Sequence, residues 1–248
     1  MSAPRYRRTF SPIGIPLEPG RWRRIADLLS EAGEGRPVGA AIAEVASGFL
    51  GVDHVSLTLV VAGGAVSNVG SGDAATELAG VQFTLGEGPS VEAASTGVPV
   101  LLDDVRSPEA AARAPMFCAA AQQRGVAAVF AFPLRVGEAL IGTLTAHRST
   151  AGPLSAAQFA DGLIVSSLAT VALLQLKAGG AGGDLQVSFG TSNGEHAAVQ
   201  VAGGMVSEQL SVTIVEALVR IRAHAFMSDA ELDDVARHII DRSLRLER

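Results

Sequence analysis

The chain has 248 residues, of which 48% are hydrophobic and 18% are charged, and its formal net charge is −6. This composition excludes intrinsic disorder, because the apolar side chains are numerous enough to bury a sizeable core. A single cysteine, Cys118, excludes an intramolecular disulfide bond and any metal site built from several thiolates. We expect Cys118 to behave as a small buried apolar residue.

The apolar runs of the chain are too short to predict a membrane span. The longest candidate, residues 162–176, also includes Ser166, Ser167 and Thr170. The N-terminal region has paired arginines but no apolar segment after them, so we expect no secretory signal. Together with the lone cysteine, these features predict a protein of the reducing cytoplasm.

Charge is distributed unevenly along the chain. Residues 1–24 have six arginines and one acid, residues 25–194 have seven basic and fifteen acidic groups, and residues 195–248 have six arginines and nine acids. No segment forms a long basic stripe of the kind that dominates affinity for nucleic acids. Composition alone therefore argues against nucleic-acid binding.

A glycine-rich segment divides the chain into two parts. Residues 178–183 (AGGAGG) contain four glycines, a composition typical of flexible linkers. We predict a basic N-terminal tail at 1–20, a first domain at 21–178, a linker at 179–194 and a second domain at 195–248.

The first part mixes helical and strand periodicity. Apolar residues recur every three or four positions over 21–30 and 38–50, which predicts helices, whereas 54–61 alternates and predicts a strand with 66–69 as its hairpin partner. Further along we predict a short helix at 89–95, a strand at 98–102, a helix from Ser107 to 124, a hairpin of 126–135 with 140–147, and a helix at 155–177.

The second part is predicted to be entirely helical. A helix is expected over 195–209, and two S/T-x-x-E capping boxes, Thr213–Glu216 and Ser228–Glu231, each precede an apolar run with helical spacing. Three short helices make a marginal core, so we expect this part to pack on another surface. The fold class is α+β: a largely antiparallel sheet flanked by helices, followed by a three-helix domain.

The predicted strands 54–61 and 140–147 each have a polar side. If these two sides face the same way, they form a polar pocket over the sheet, lined by His54, Ser56, Thr58, Thr143, Thr145 and His147. The alternative is an ordinary polar sheet face. The histidines lack the spacings of a catalytic metal site, and no nucleophile motif or phosphate-binding loop is present. We therefore predict no catalytic residues, no metal and no cofactor.

Four short segments of the first part together resemble a GAF domain. They are residues 83–89 (FTLGEGP), 97–103 (GVPVLLD), 132–134 (FPL) and 141–144 (IGTL). The order of predicted elements agrees with that family. The resemblance implies a non-enzymatic sensor that binds a small molecule or only dimerises. Within such a domain Cys118 has one alternative role, as the attachment point of a bilin.

The second part resembles an ANTAR domain, on residues 199–210 (VQVAGGMVSEQL), 216–225 and 234–236. The pair looks like the GAF–ANTAR regulators that prevent transcription termination. This resemblance implies binding to a pair of RNA hairpins in nascent transcripts. Its candidate RNA-binding residues are His196, Gln200, Gly203, Arg220, Arg222 and His224.

Three positions depart from the ANTAR pattern. His196 stands where the family usually has arginine, Gly203 where it has a longer polar residue, and 229–231 (DAE) where it has basic residues. Each departure removes a cation that could face a phosphate. An alternative therefore remains open: a dimerisation or protein-interaction regulator whose second domain binds RNA weakly or not at all.

We also expect a homodimer. The predicted helix at 155–177 has apolar residues on more than one side, so it needs a second neighbour besides the sheet. A two-fold mate is the simplest one. The alternative is that the C-terminal helices of the same chain cover this surface.

Overall fold

A computed structural model describes residues 19–33, 36–60, 66–179 and 197–247. Residues 1–18 of the predicted tail, the turn at 61–65 and most of the predicted linker lie outside these ranges. The elements are α1 (Pro19–Ala32), α2 (Val38–Leu50), β1 (His54–Val60), β2 (Val66–Gly70), α3 (Asp73–Leu85), α4 (Pro89–Thr96), β3 (Val100–Leu102), α5 (Pro108–Arg113), α6 (Pro115–Gln123), β4 (Ala128–Val136), β5 (Ala139–Arg148), α7 (Ala156–Gly179), α8 (Ala197–Leu210), α9 (Ile214–Met227) and α10 (Leu232–Ile240).

The five strands form one antiparallel sheet in the order β2-β1-β5-β4-β3. Helices cover both of its faces. The alternation of β1 explains this arrangement: Val55, Leu57 and Leu59 point into an apolar core shared with α1, α2 and α7. The opposite, polar side of β1 lies under α3, and α4 covers the neighbouring part of the same face on β4 and β5. The predicted α+β fold class is confirmed for this part.

One helix was not predicted. It is α3, residues 73–85, whose buried residues include Ala75, Leu78, Ala79 and Gln82 at helical spacing. A glycine in the middle of the segment and a buried glutamine weaken its amphipathic pattern. The helix predicted from Ser107 to 124 is two helices, because Pro115 lacks an N–H group and starts a new helix.

The predicted caps have different outcomes. Ser155 and Gln158 form a reciprocal capping box, and the Glu216 N–H donates to Thr213 Oγ1 at 3.2 Å. The box predicted at Ser228 is wrong. The Ser228 hydroxyl donates back to the His224 carbonyl at 2.7 Å, and α10 begins after Glu231 without a side-chain cap.

The three C-terminal helices pack around their own apolar core, which includes Val199, Val206, Ile221 and Val235. Phe83 from α3 joins this core, so the two parts of the chain are in contact. Within the described ranges, one stretch, Ala156–Gln175 of α7, is long and apolar enough to cross a membrane by length and composition. It is a helix that packs against α2 and β4, and 44% of it is buried.

Candidate functional site

The six polar residues predicted to line a pocket lie on one face of the sheet. The register of β1 and β5 places His54 opposite His147, Ser56 opposite Thr145, and Thr58 opposite Thr143. Because directly opposed residues of an antiparallel pair point to the same side, these six form one cluster, which we call the polar row. The two imidazole rings are 5.2 Å apart.

The polar row is mostly buried, and its hydrogen bonding is incomplete. At one end, the Thr143 hydroxyl bonds to the Ser90 hydroxyl of α4 at 2.7 Å, and the Ser90 N–H donates to Gln82 Oε1 of α3 at 2.7 Å. In the row and directly beside it, three buried polar atoms have no hydrogen-bond partner in the described part of the chain: Thr145 Oγ1, His147 Nδ1 and Nε2 of the nearby Gln82. Leaving such an atom unpaired costs about 1–3 kcal/mol. The row is therefore suited to receiving hydrogen bonds from another molecule.

The histidine end of the polar row opens into a cavity of about 300 Å³. Its walls come from the start of β1, the end of β5, the first turns of α3 and the loop between α6 and β4. The lining residues are Asp53, His54, Ala74, Glu77, Leu78, Arg124, Gly125, Val126, His147 and Ser149. The volume matches the small end of ligand-binding clefts.

The charged groups at this cavity are already paired. Arg124 Nε lies 2.8 Å from Glu77 Oε1. Ser149 donates two hydrogen bonds to Asp53, from its N–H at 2.7 Å and its hydroxyl at 2.8 Å, and these bonds lower the pKa of the Asp53 carboxyl. Burial, assisted by the nearby His54, lowers the pKa of His147 to about 4. His147 therefore presents a neutral imidazole at neutral pH.

Several of these residues were not predicted from the sequence. Gln82 and Ser90 belong to two different helices and are brought to the row only by the tertiary fold. Asp53 directly precedes a strand that starts with His54, which is the one local signal that could have pointed to it. No group of three or more potential metal ligands occurs within the described ranges.

Cys118 is buried on α6. Burial raises the pKa of its thiol, and the nearby Glu87 raises it further. This is the environment of a small apolar residue, as predicted.

The candidate RNA-binding residues do not form one exposed surface. Gln200 and Gly203 are buried within α8–α10, and an added Cβ on Gly203 would lie 3.0 Å from Leu218. Arg222 is turned towards α3, while Arg220 pairs with Glu216 at 2.8 Å. His224 is partly exposed, and His196 lies outside the described residues. Gln200 and Gly203 are thus not exposed in this arrangement, and Gln200 Nε2 and Oε1 are buried without a hydrogen-bond partner in the described part of the chain.

Comparisons with known proteins were made for the whole chain. A family model described as GAF domain matches residues 37–174. No curated protein matches the chain.

Two of the similar solved structures are matched over more than nine-tenths of their own length. One is a domain of a two-component sensor histidine kinase protein from Sinorhizobium meliloti 1021, with 18% identity, a TM-score of 0.46, and coverage of 57% of this chain and 91% of that chain. Another is the GAF domain of an Acinetobacter phosphoenolpyruvate-protein phosphotransferase, with 12% identity, a TM-score of 0.44, and coverage of 65% and 95%. Because the family model spans more than half of its length, the chain belongs to the GAF domain family.

Proposed function

We propose that the protein is a sensor whose GAF domain binds a small, neutral, hydrogen-bonding molecule at the polar row and thereby regulates its C-terminal helices. The observation that carries this proposal is the row and its open end. Buried hydroxyl and imidazole groups of the row and the nearby Gln82 amide have unused hydrogen-bonding capacity, and His54 and His147 at the end of the row line a cavity of about 300 Å³. Protein interiors rarely leave such groups unpaired without a functional reason.

The chemistry of the row favours a neutral ligand. An anion would need an unpaired cation, but Arg124 is held by Glu77 and His147 is uncharged. A cation would find Asp53 already occupied by Ser149. Neutral donors and acceptors, such as amides or alcohols, match hydroxyl and imidazole groups without leaving a buried charge.

For the C-terminal helices we propose an RNA-binding role in transcription antitermination, in the cytoplasm, as the ANTAR resemblance implies. The partner would be a pair of RNA hairpins bound by a homodimer. Arg220, Arg222 and His224 are the candidates that support this role, since all three are on α9 and are not fully buried.

A second function is favoured by a different observation. Val215, Val219, Phe226 and Met227 of α9 are exposed, and apolar residues on one helix are typical of a protein contact rather than an RNA contact. In this reading the C-terminal helices bind a protein partner or a second copy of the chain.

Thr145 and Thr143 provide a matched test of the sensor role. Thr145→Val removes a buried hydroxyl that is unpaired when no ligand is bound, so we expect it to stabilise the ligand-free protein by about 1 kcal/mol. Thr143→Val removes a bonded hydroxyl and leaves Ser90 without that partner, so we expect a loss of about 1–2 kcal/mol. Urea unfolding measures both changes.

Ligand binding is then tested by native mass spectrometry of the protein purified from its own host. We expect a co-purifying molecule in the wild type and its loss in Thr145→Val, despite the greater stability of this variant. A wild-type protein free of any bound molecule, with Thr145→Val less stable than the wild type, would contradict the sensor proposal.

The two effector functions are separated by titration with a synthetic two-hairpin RNA at several salt concentrations. Phosphate contacts predict that the logarithm of the binding constant falls linearly with the logarithm of salt concentration. Absence of binding at low salt, or binding without this dependence, would favour the protein-contact alternative.

A further inference from the structure

Arg222 joins the C-terminal helices to the GAF domain. Its Nε and Nη2 both donate to the Phe83 carbonyl, at 3.0 and 2.8 Å, and its guanidinium lies 5.4 Å from the centre of the Phe83 ring. Phe83 is in the last turn of α3, where helix carbonyls lack partners within the helix and carry the negative end of the helix dipole. Arg222 therefore caps α3 from outside the GAF domain.

The residue that follows α3 is a glycine, which leaves space for the Arg222 side chain. Gly86 ends the helix with a φ of +68°, and a Cβ at this position would lie 3.1 Å from three atoms of the Arg222 side chain. A larger residue would displace the guanidinium as well as strain the backbone. Burial in this contact lowers the pKa of Arg222, which is the mark of a desolvated guanidinium.

The contact is nevertheless of a kind that can open. Its polar part joins the Arg222 guanidinium to the Phe83 carbonyl, while the Phe83 side chain enters the apolar core of the C-terminal helices. A cleft of about 580 Å³ lies beside this contact, bordered by Met116 and Phe226. Polar, incompletely packed contacts between parts of a chain resemble transient interfaces.

The same turn of α3 is also linked to the polar row through Ser90 of α4, whose hydroxyl bonds to Thr143. Gln82, the neighbour of Phe83, accepts the Ser90 N–H through Oε1, and its Nε2 is one of the unpaired buried atoms. The last turn of α3 thus bonds to Ser90, beside the candidate ligand site, through Gln82, and it contacts the C-terminal helices through Phe83.

We propose that the Arg222–Phe83 contact is an autoinhibitory latch. In the latched form, the Arg222 guanidinium donates to the Phe83 carbonyl and is not available to bind an RNA phosphate. The last turn of α3 links this contact to the candidate ligand site. Opening the latch frees Arg222 for RNA. The role of the freed arginine rests on the RNA-binding function proposed above, whereas the latch itself rests on the contacts of Arg222.

The latch is tested in the full chain with variants that open it in two ways. Gly86→Leu displaces Arg222 but keeps it in the protein, and Gly125→Leu is its control, because Gly125 has a similar φ of +71° with no atom within 4 Å of a Cβ. Arg222→Met keeps the apolar stem of the side chain and removes its donors. Phe83→Ala is a second opening variant should Gly86→Leu fail to fold, as judged by circular dichroism.

Small-angle X-ray scattering reports opening as an increased radius of gyration, without reference to RNA. We expect an increase for Gly86→Leu and Arg222→Met and none for Gly125→Leu. An unchanged radius in Arg222→Met would overturn the latch.

Binding of a synthetic two-hairpin RNA reports the freed arginine. For Gly86→Leu we expect tighter binding and a salt dependence steeper by roughly 0.7–0.9, the contribution of one phosphate contact. Arg222→Met, alone or combined with Gly86→Leu, lacks this gain.

An open Gly86→Leu variant with wild-type salt dependence would overturn the autoinhibitory role. Failure of every variant, including the wild type, to bind RNA would overturn the proposed RNA function, while scattering would still show whether Arg222 holds the two parts together.

Discussion

His147 shows how burial determines what a single residue of the site can do. The ring is 3% exposed, its Nδ1 has no partner in the described part of the chain, and its pKa is lowered to about 4. Desolvation is the largest cause, because a buried imidazolium loses its hydration; the nearby His54 lowers the pKa further, and the attraction of Asp53 offsets only part of this. His147 is therefore a neutral hydrogen-bonding group rather than a pH switch near neutrality.

This lowered pKa predicts a pH dependence of stability. Between pH 6.5 and about 4 the unfolded chain binds a proton at His147 and the folded protein does not, so the free energy of unfolding falls as the pH falls. The difference between the two pKa values corresponds to a loss of roughly 3 kcal/mol. Urea unfolding above pH 6.5 and near pH 4 measures it.

The control for this prediction is His147→Gln, which has no titrating group at the position. It should lose most of the dependence in this pH window. The contribution of Asp53 falls outside the window, because its pKa is lowered from 3.8 and its bonds to Ser149 are lost only at more acidic pH. Equal slopes in wild type and His147→Gln would show that His147 does not carry the effect.

At the scale of elements, the packing of α7 on the sheet depends on a close approach. Gly162 is in the interior of α7, where glycine is normally unfavourable by about 1 kcal/mol relative to alanine. A Cβ at Gly162 would lie 2.3 Å from the Phe132 ring of β4. The glycine is thus required by the distance between helix and strand.

This contact predicts opposite effects for two glycine-to-alanine substitutions in helices. Gly162→Ala should destabilise the protein by roughly 1–3 kcal/mol, because the ring must move. Gly48→Ala in α2, where a Cβ meets no atom within 4 Å, should stabilise it by up to about 1 kcal/mol. Thermal or urea unfolding of both variants tests the prediction, which fails if both change stability in the same direction.

At the scale of the whole molecule, α1 and α7 present a surface with apolar side chains that the described residues leave exposed, although α2 packs against α7 and gives it a second neighbour besides the sheet. Val171 of α7 is 52% exposed, and Trp22 and Leu28 on the neighbouring α1 are also exposed. The C-terminal helices pack on α3 instead, so they do not provide the intrachain cover considered as an alternative to dimerisation. A second copy of the chain remains the predicted occupant of this surface.

The dimer prediction is tested by light scattering at micromolar concentration. We expect twice the chain mass of 25.3 kDa for the wild type and the mass of one chain for Val171→Glu, because a buried carboxylate at a two-fold interface is strongly unfavourable. Val98→Glu, at an exposed valine outside α1, α7 and the C-terminal helices, should remain dimeric. A monomeric wild type would refute the prediction.

Most of the GAF architecture could be predicted from local patterns. Strict alternation in β1 placed Val55, Leu57 and Leu59 on the core side and His54, Ser56 and Thr58 on the other, as the structure has them. The Ser107 and Ser155 caps mark helix starts through bonds within a few residues. Such features depend on neighbours along the chain, so the sequence contains all the information they need.

The shared face of the polar row was a conditional prediction. The sequence alone shows that β1 and β5 each have a polar side, and the register between them decides whether those sides coincide. Helix α3 was not predicted because its buried Gln82 breaks the apolar pattern of the segment. The Gln82 side chain accepts a hydrogen bond from Ser90, which in turn bonds to Thr143 of the polar row.

The sequence by itself determined most of the elements, the polar sides of β1 and β5 and the GAF family, because each is recorded in periodicity, caps and short motifs. Only the tertiary structure decided which polar atoms are left unpaired and that Arg222 contacts the Phe83 carbonyl. These outcomes depend on contacts between residues far apart in the chain. An arginine on a helix has the same local pattern whether it faces solvent, RNA or the end of another helix.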